Sequence, residues 1–240
     1  MPIRPLTLIR PLAAIPRFAV DLAFPPACLA CNAPLESARD LTCADCRASM
    51  RDVDEWDDRC RAVREALCAG GGVAGFVPLW YFEDGGPVQA LVHALKYDGM
   101  TAVGREFGRT LGARILESGY GGADALVPLP LHPTRMRERG FNQADCIARG
   151  ASAVTGIPVA RRIVRRTRST PSQTALAPGE RRANVRGAFR PARRAGRARG
   201  ATLLLVDDVV TTGATMSACA GALRAAGAHA VIACAAALAR

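Results

Sequence analysis

The chain has 240 residues, half of them hydrophobic, and a formal net charge of +11. That length suits one domain of ordinary size with a small appendage. No run reaches the roughly 18 consecutive apolar residues of a membrane span. The charge is uneven: Arg161–Arg199 holds thirteen arginines against one acid, Glu180, a net of +12, while the remainder has nineteen bases against twenty acids. Such a window implies an anionic partner there, be it phosphate, pyrophosphate or a nucleic acid backbone. The competing reading is a solvated loop in a chain that uses thirty-one arginines and a single lysine, Lys96.

Residues 1–27 look superficially like an export signal. Arg4, Arg10, Arg17, Asp21 and several prolines break the apolar stretch that such a signal needs. They read as an amphipathic lead-in, with a cytoplasmic protein as the default. Residues 28–72 hold six of the nine cysteines and end in the glycine-rich Ala69–Gly72, read as a hinge. Cys28-x2-Cys31 and Cys43-x2-Cys46 are separated by eleven residues. Two adjacent thiolate pairs complete a tetrahedral shell that suits zinc, with an iron–sulfur centre sharing the same ligands and a redox pair as the alternative. Cys146, Cys219 and Cys234 fall in helix or strand patterns and read as small buried hydrophobes.

From residue 73 to 240 strand and helix patterns alternate. Gly75–Phe82 reads as a strand, Pro87–Tyr97 and Val103–Ser118 as amphipathic helices, Asp124–Leu131 as a strand and Phe141–Val154 as a helix. A long basic stretch follows, then a buried strand at ATLLLV, a helix from Gly213 and a last strand at AHAVIACAAALA. This alternation argues an α/β fold: a parallel sheet with helices on both faces.

The segment LLLVDDVVTTGAT (Leu203–Thr215) carries the most chemistry. An all-aliphatic strand is buried on both faces, and ligands bind beyond the carboxyl ends of such strands. There Asp207 and Asp208 can accept hydrogen bonds from a vicinal diol or hold hydrated Mg²⁺. Thr211, Thr212, Gly213, Ala214 and Thr215 then open a helix whose free N–H groups and dipole favour an anion. A diol reader followed by a phosphate cradle describes a ribose 5-phosphate site. Neither GK[ST] nor GxGxxG is present, so it is not a Walker loop or a dinucleotide fingerprint.

The segment resembles the phosphoribosyl pyrophosphate (PRPP) motif of type I phosphoribosyltransferases. Val127–Ala144, His93–Gly99 and Glu180–Phe189 resemble the ComF/GntX family, whose members include proteins needed for DNA uptake. The resemblance implies a type I phosphoribosyltransferase domain over 73–240, preceded by a zinc-ribbon-like domain over 28–72. It implies that Asp207 and Asp208 bind the ribose hydroxyls and that residues 211–215 hold the 5-phosphate. It also favours a functional Lys96 over chance placement at a helix end. ComF relatives often carry two zinc sites. Here Cys60 and Cys68 lack the CxxC pattern, so one structural zinc at Cys28, Cys31, Cys43 and Cys46 is expected.

The loop after the Val127 strand would meet the pyrophosphate, with Arg135, Arg137, Arg139 and Asn142 as donors and His132 as a structural residue. Thr167–Arg186 reads as a flap with Gln173 and Arg181 as candidates. Two functions follow. One is transfer of the phosphoribosyl group from PRPP, with Mg²⁺, to an unknown acceptor. The other is single-stranded DNA binding for uptake, with PRPP regulatory or vestigial. Against the second, no aromatic lies between Arg161 and Phe189, so base-stacking platforms are scarce there. An adaptor touching DNA-uptake proteins is a third reading.

Overall fold

A computed structural model describes residues 25–70, 72–168 and 187–240. Its centre is a four-stranded, all-parallel sheet of order β1-β6-β5-β2, formed by β1 (Gly75–Phe82), β2 (Ala125–Pro128), β5 (Thr202–Val210) and β6 (Ala230–Ala239). Alternation along the strands sorts the core into two layers. Leu203, Leu205, Val231, Ala233 and Ala235 face one side; Leu204, Val206, Ile232, Cys234 and Ala236 face the other.

The first face is covered by α7 (Ala214–Ala225) and by α2 (Asp58–Ala69), through Cys60, Val63, Leu67, Met216, Cys219 and Leu223. The second is covered by α3 (Pro87–Tyr97), α4 (Thr101–Glu117) and α6 (Gln143–Thr155), through Leu91, Leu95, Phe107, Leu111, Ile147 and Ala151. The parallel sheet with helices on both faces is therefore as expected. The boundaries of α3 coincide with the sequence reading because Gly86 and Pro87 start the helix with a fixed φ and no lost donor.

Three features depart from the sequence reading. First, β5 does not stop at Val206 but runs through both acids to Val210, because its partner β6 continues and pairs Asp207 with Ala235 and Val209 with Ala237. Second, the basic stretch contains an antiparallel ribbon. β3 (Val164–Arg166) pairs with β4 (Phe189–Pro191), so the segments flanking the expected flap stand side by side. The flap candidates Gln173 and Arg181 lie outside the described residues, as do residues 1–24 of the lead-in. Third, where an open hinge was expected, Gly70 and Gly72 pass close against α7. A Cβ on Gly72 would stand 2.8 Å from the backbone nitrogen of Gly221 in α7. Thus α2, grouped by sequence with the cysteine region, packs into the core of the sheet domain.

Cys219 and Cys234 are buried and Cys146 is half-buried. Among the described residues no helix is long and apolar enough to cross a membrane.

Candidate functional site

Strand alternation places the two adjacent acids on opposite faces of the sheet. Asp208 follows Leu204 and Val206 onto the α3 side, where its Oδ2 meets Lys96 Nζ at 3.2 Å. Its Oδ1 accepts the Val209 N–H at 2.7 Å. Asp207 follows Leu203 and Leu205 onto the α7 side. Its Oδ1 accepts the Asp208 N–H at 2.9 Å, and its charge is felt by Arg166 and Cys219.

The ammonium's ion pair goes to buried Asp208, while half-buried Asp207 also has Arg166 as a charged neighbour. Burial, and next the charge of Asp208, pushes Asp207 up to about 8. A carboxylic acid kept protonated near neutral pH can donate as well as accept a hydrogen bond.

Beyond β5 the chain turns at Thr211–Gly213 into α7. Gly213 has φ +74°, a left-handed conformation for which glycine is suited, and the Thr212 hydroxyl accepts the Ala214 N–H at 3.5 Å. A cavity of about 410 Å³ opens there, lined by Lys96, Asp207, Thr211, Gly213, Ala214 and Thr215, with Phe82 and Ala239 at the ends of the neighbouring strands. Four of the five expected cradle residues line it; Thr212 does not.

The expected pyrophosphate donors stand apart from this cavity. Arg135, Arg137 and Arg139 belong to a short helix, α5 (Pro133–Arg139). Arg135 pairs with Glu138, while Arg139 donates to Gln143 and lies over the Tyr97 ring. Asn142 is engaged structurally: its amide donates to the Leu129 carbonyl at 3.0 Å and its Oδ1 caps α6. His132 caps α5 through Nδ1.

Two features were missed from sequence. One is Arg59 of α2, which donates to the carbonyls of Thr211 and Ala239. Nothing in its local sequence separates it from its arginine-rich neighbours. The other is a groove of about 1290 Å³ beside β2, lined by Arg105, Arg149, Arg161, Arg162, Arg165, Arg166 and Arg193 over Val127, Pro128 and Phe141. Its one acid, Asp145, pairs with Arg149 and Arg161. The net +12 window hinted at this groove, but arginines of α4 and α6 complete it.

The four cysteines converge. The sulfurs of Cys28, Cys31, Cys43 and Cys46 all lie within 4.8 Å of one another, with Cys31 and Cys43 at 3.7 Å. A tetrahedral ion with bonds near 2.3 Å spaces its sulfurs by about 3.8 Å, so the set fits one metal ion. The first pair sits in a turn where Asn32 N–H returns to the Cys28 carbonyl; the second opens the short helix α1 (Ala44–Ala48), whose N-cap Cys43 accepts the Cys46 N–H on its sulfur. Cys60 is elsewhere, buried against the sheet.

A phosphoribosyl transferase domain model matches residues 138–240. Competence protein F of Haemophilus influenzae is 26% identical over 209 residues, covering 82% of this chain and 90% of that protein. DNA utilization protein YhgH of Escherichia coli is 33% identical over 152 residues, covering 60% of this chain and 64% of that protein. Among solved structures, the glutamine PRPP amidotransferase of B. subtilis aligns with 54% of this chain and 25% of its own, at 21% identity and a TM-score of 0.36.

The raised Asp207 has a measurable signature. A carboxyl whose folded pKa exceeds its unfolded value binds more protons when folded. Its stabilisation is complete at low pH and is lost as pH rises from about 4 to about 8. Asp207→Asn removes that dependence. Its melting temperature relative to wild type should therefore climb between about pH 4 and about pH 8 and level off above. An offset that stays constant across this range would contradict the assignment.

Proposed function

We propose, from the premise that this chain is a ComF-family protein with a phosphoribosyl transferase domain, that the cavity at the end of β5 binds PRPP and supports phosphoribosyl transfer. The observation that carries this reading is the convergence of Lys96, Asp207 and the Thr211–Thr215 turn on one cavity. The 5-phosphate sits against the turn and the start of α7, where N–H groups and the helix dipole favour an anion. The ribose lies over the end of β5, with Asp207 as its hydroxyl partner. Lys96 lies beside the Asp208 carboxylate and offers its ammonium to the diphosphate oxygens.

In the reaction the bond between ribose C1 and the pyrophosphate oxygen breaks and a nucleophile, a nitrogen of the acceptor, bonds to C1. The nitrogen then gives up its proton to water, and pyrophosphate and the phosphoribosylated product leave. Mg²⁺ arriving with PRPP would neutralise the leaving group and is coordinated by oxygen ligands. The residues of this chain work by position and charge: Asp207 holds the ribose hydroxyls and Lys96 stabilises the departing anion. Incubation with PRPP, Mg²⁺ and a panel of nitrogen heterocycles and amines should release pyrophosphate. Lys96→Met should lower that release by about tenfold or more. A panel that releases none with wild type would remove the transfer step from the account.

The four thiolates hold one structural zinc in this reading, which suits the reducing cytoplasm. The purified chain should carry about one zinc ion, and Cys31→Ser/Cys43→Ser should abolish it. Iron at that stoichiometry in place of zinc would contradict the assignment.

A second reading is favoured by the arginine groove: an extended polyanion lies in it. The cavity exceeds the 300–1,000 Å³ usual for small ligands, and the name of the Escherichia coli relative, DNA utilization protein YhgH, points to DNA. Binding of a single-stranded oligonucleotide should fall steeply with salt. It should weaken further in Arg162→Glu/Arg165→Glu/Arg193→Glu. Salt-independent binding, or a triple variant that binds like wild type, would count against it.

A further inference from the structure

The turn on the phosphate side of the cavity is supported by a helix outside the matched residues 138–240. From the first turn of α2, Arg59 Nη2 donates to the Thr211 carbonyl at 2.8 Å and its Nε donates to the Ala239 carbonyl at 2.9 Å. These carbonyls lie at the carboxyl ends of β5 and β6, where the ladder runs out and the oxygens need new donors. A guanidinium can satisfy both at once with its rigid fork; an ammonium cannot hold that geometry.

Two turns along, fully buried Leu67 lies beneath the other end of the same turn. A Cβ on Gly213 would come within 2.8 Å of Leu67 Cγ and Cδ2. Arg59 and Leu67 are eight residues apart and share a helix face. They hold both ends of the segment Thr211–Gly213.

The helix itself is well anchored. The Asp57 carboxylate caps it by accepting the Arg59 N–H at 2.7 Å. The preceding segment is stitched to the free edge of β1, with Val53 N–H on the Leu79 carbonyl at 2.7 Å and Tyr81 N–H on the Arg51 carbonyl at 2.9 Å. Cys60 and Val63 are buried in the core. The half-buried Arg59 guanidinium also adds fixed positive charge behind a turn that already favours anions.

We propose that Arg59 is the positioning residue of the phosphate-binding turn. It acts through Thr211, aiming the backbone N–H groups of residues 211–215 into the cavity, and does not touch the ligand itself. The proposal rests on the reading of this cavity as the PRPP site. It makes the cradle a joint product of the phosphoribosyl transferase domain and the helix that follows the cysteine module.

The test uses the full chain, as wild type, Arg59→Met and Arg59→Lys. Affinity for PRPP with Mg²⁺ is measured by calorimetry, and amide hydrogen exchange is measured without ligand. Arg59→Met should weaken PRPP binding by about tenfold or more. It should speed exchange of residues 211–216 while leaving the interior of β6 protected as in wild type. Arg59→Lys keeps the charge but not the fork, so it should recover only part of the affinity. Wild-type affinity with unchanged exchange in Arg59→Met overturns the proposal. So does loss of protection throughout the sheet in Arg59→Lys, which would make Arg59 a general stability residue. Because exchange is read without ligand, a wild type that fails to bind PRPP sinks the functional reading alone and leaves the clamp to the exchange result.

Discussion

Two adjacent carboxylates stand at the end of a buried strand, one of them paired with an ammonium, and the site is organised around that ion pair. β5 is buried among β2, β6 and the helices on both faces, so Asp207 and Asp208, still within the ladder, stand in surroundings that penalise free charge. Lys96 answers one of them at 3.2 Å. The other keeps its proton until about pH 8. In the proposed reading the ligand supplies hydroxyls to Asp207 and anionic oxygens to Lys96 and the turn. A phosphorylated, pyrophosphorylated ribose supplies both.

Anion recognition recurs across the molecule by different means. The turn after β5 uses backbone N–H groups and a helix start. The groove beside β2 uses arginines from four segments over an apolar floor, and β2 meets β5 with Pro128 opposite Val206, one residue before Asp207. The two concavities therefore flank neighbouring strand ends of one type I phosphoribosyltransferase fold. In such sheets the carboxyl ends of the strands are where ligands gather.

Much of this was legible in the sequence, and what was not has physical causes. Elements defined by local chemistry were read closely: Pro87 starts α3, and the hydrophobic pattern of Gly75–Phe82 gives β1. The four cysteines and the turn after β5 were legible because their spacing is their mechanism. The extension of β5 through its acids was hidden, because it depends on how far β6 runs beside it. The ribbon of Val164–Arg166 and Phe189–Pro191 was hidden because its strands are short and distant in sequence. Asn142 looked like a phosphate donor by composition, but tertiary structure commits it to the Leu129 carbonyl and to capping α6. Arg59 was invisible, since its partners stand 152 and 180 residues away along the chain.

The central claim is that the end of β5 is a ribose-phosphate site. Calorimetric titration of PRPP with Mg²⁺ into wild type and into Asp207→Ala/Asp208→Ala tests it most directly. The account predicts saturable binding by wild type that the double variant loses while remaining folded. No binding by folded, metal-loaded wild type, or equal binding by the double variant, would contradict it.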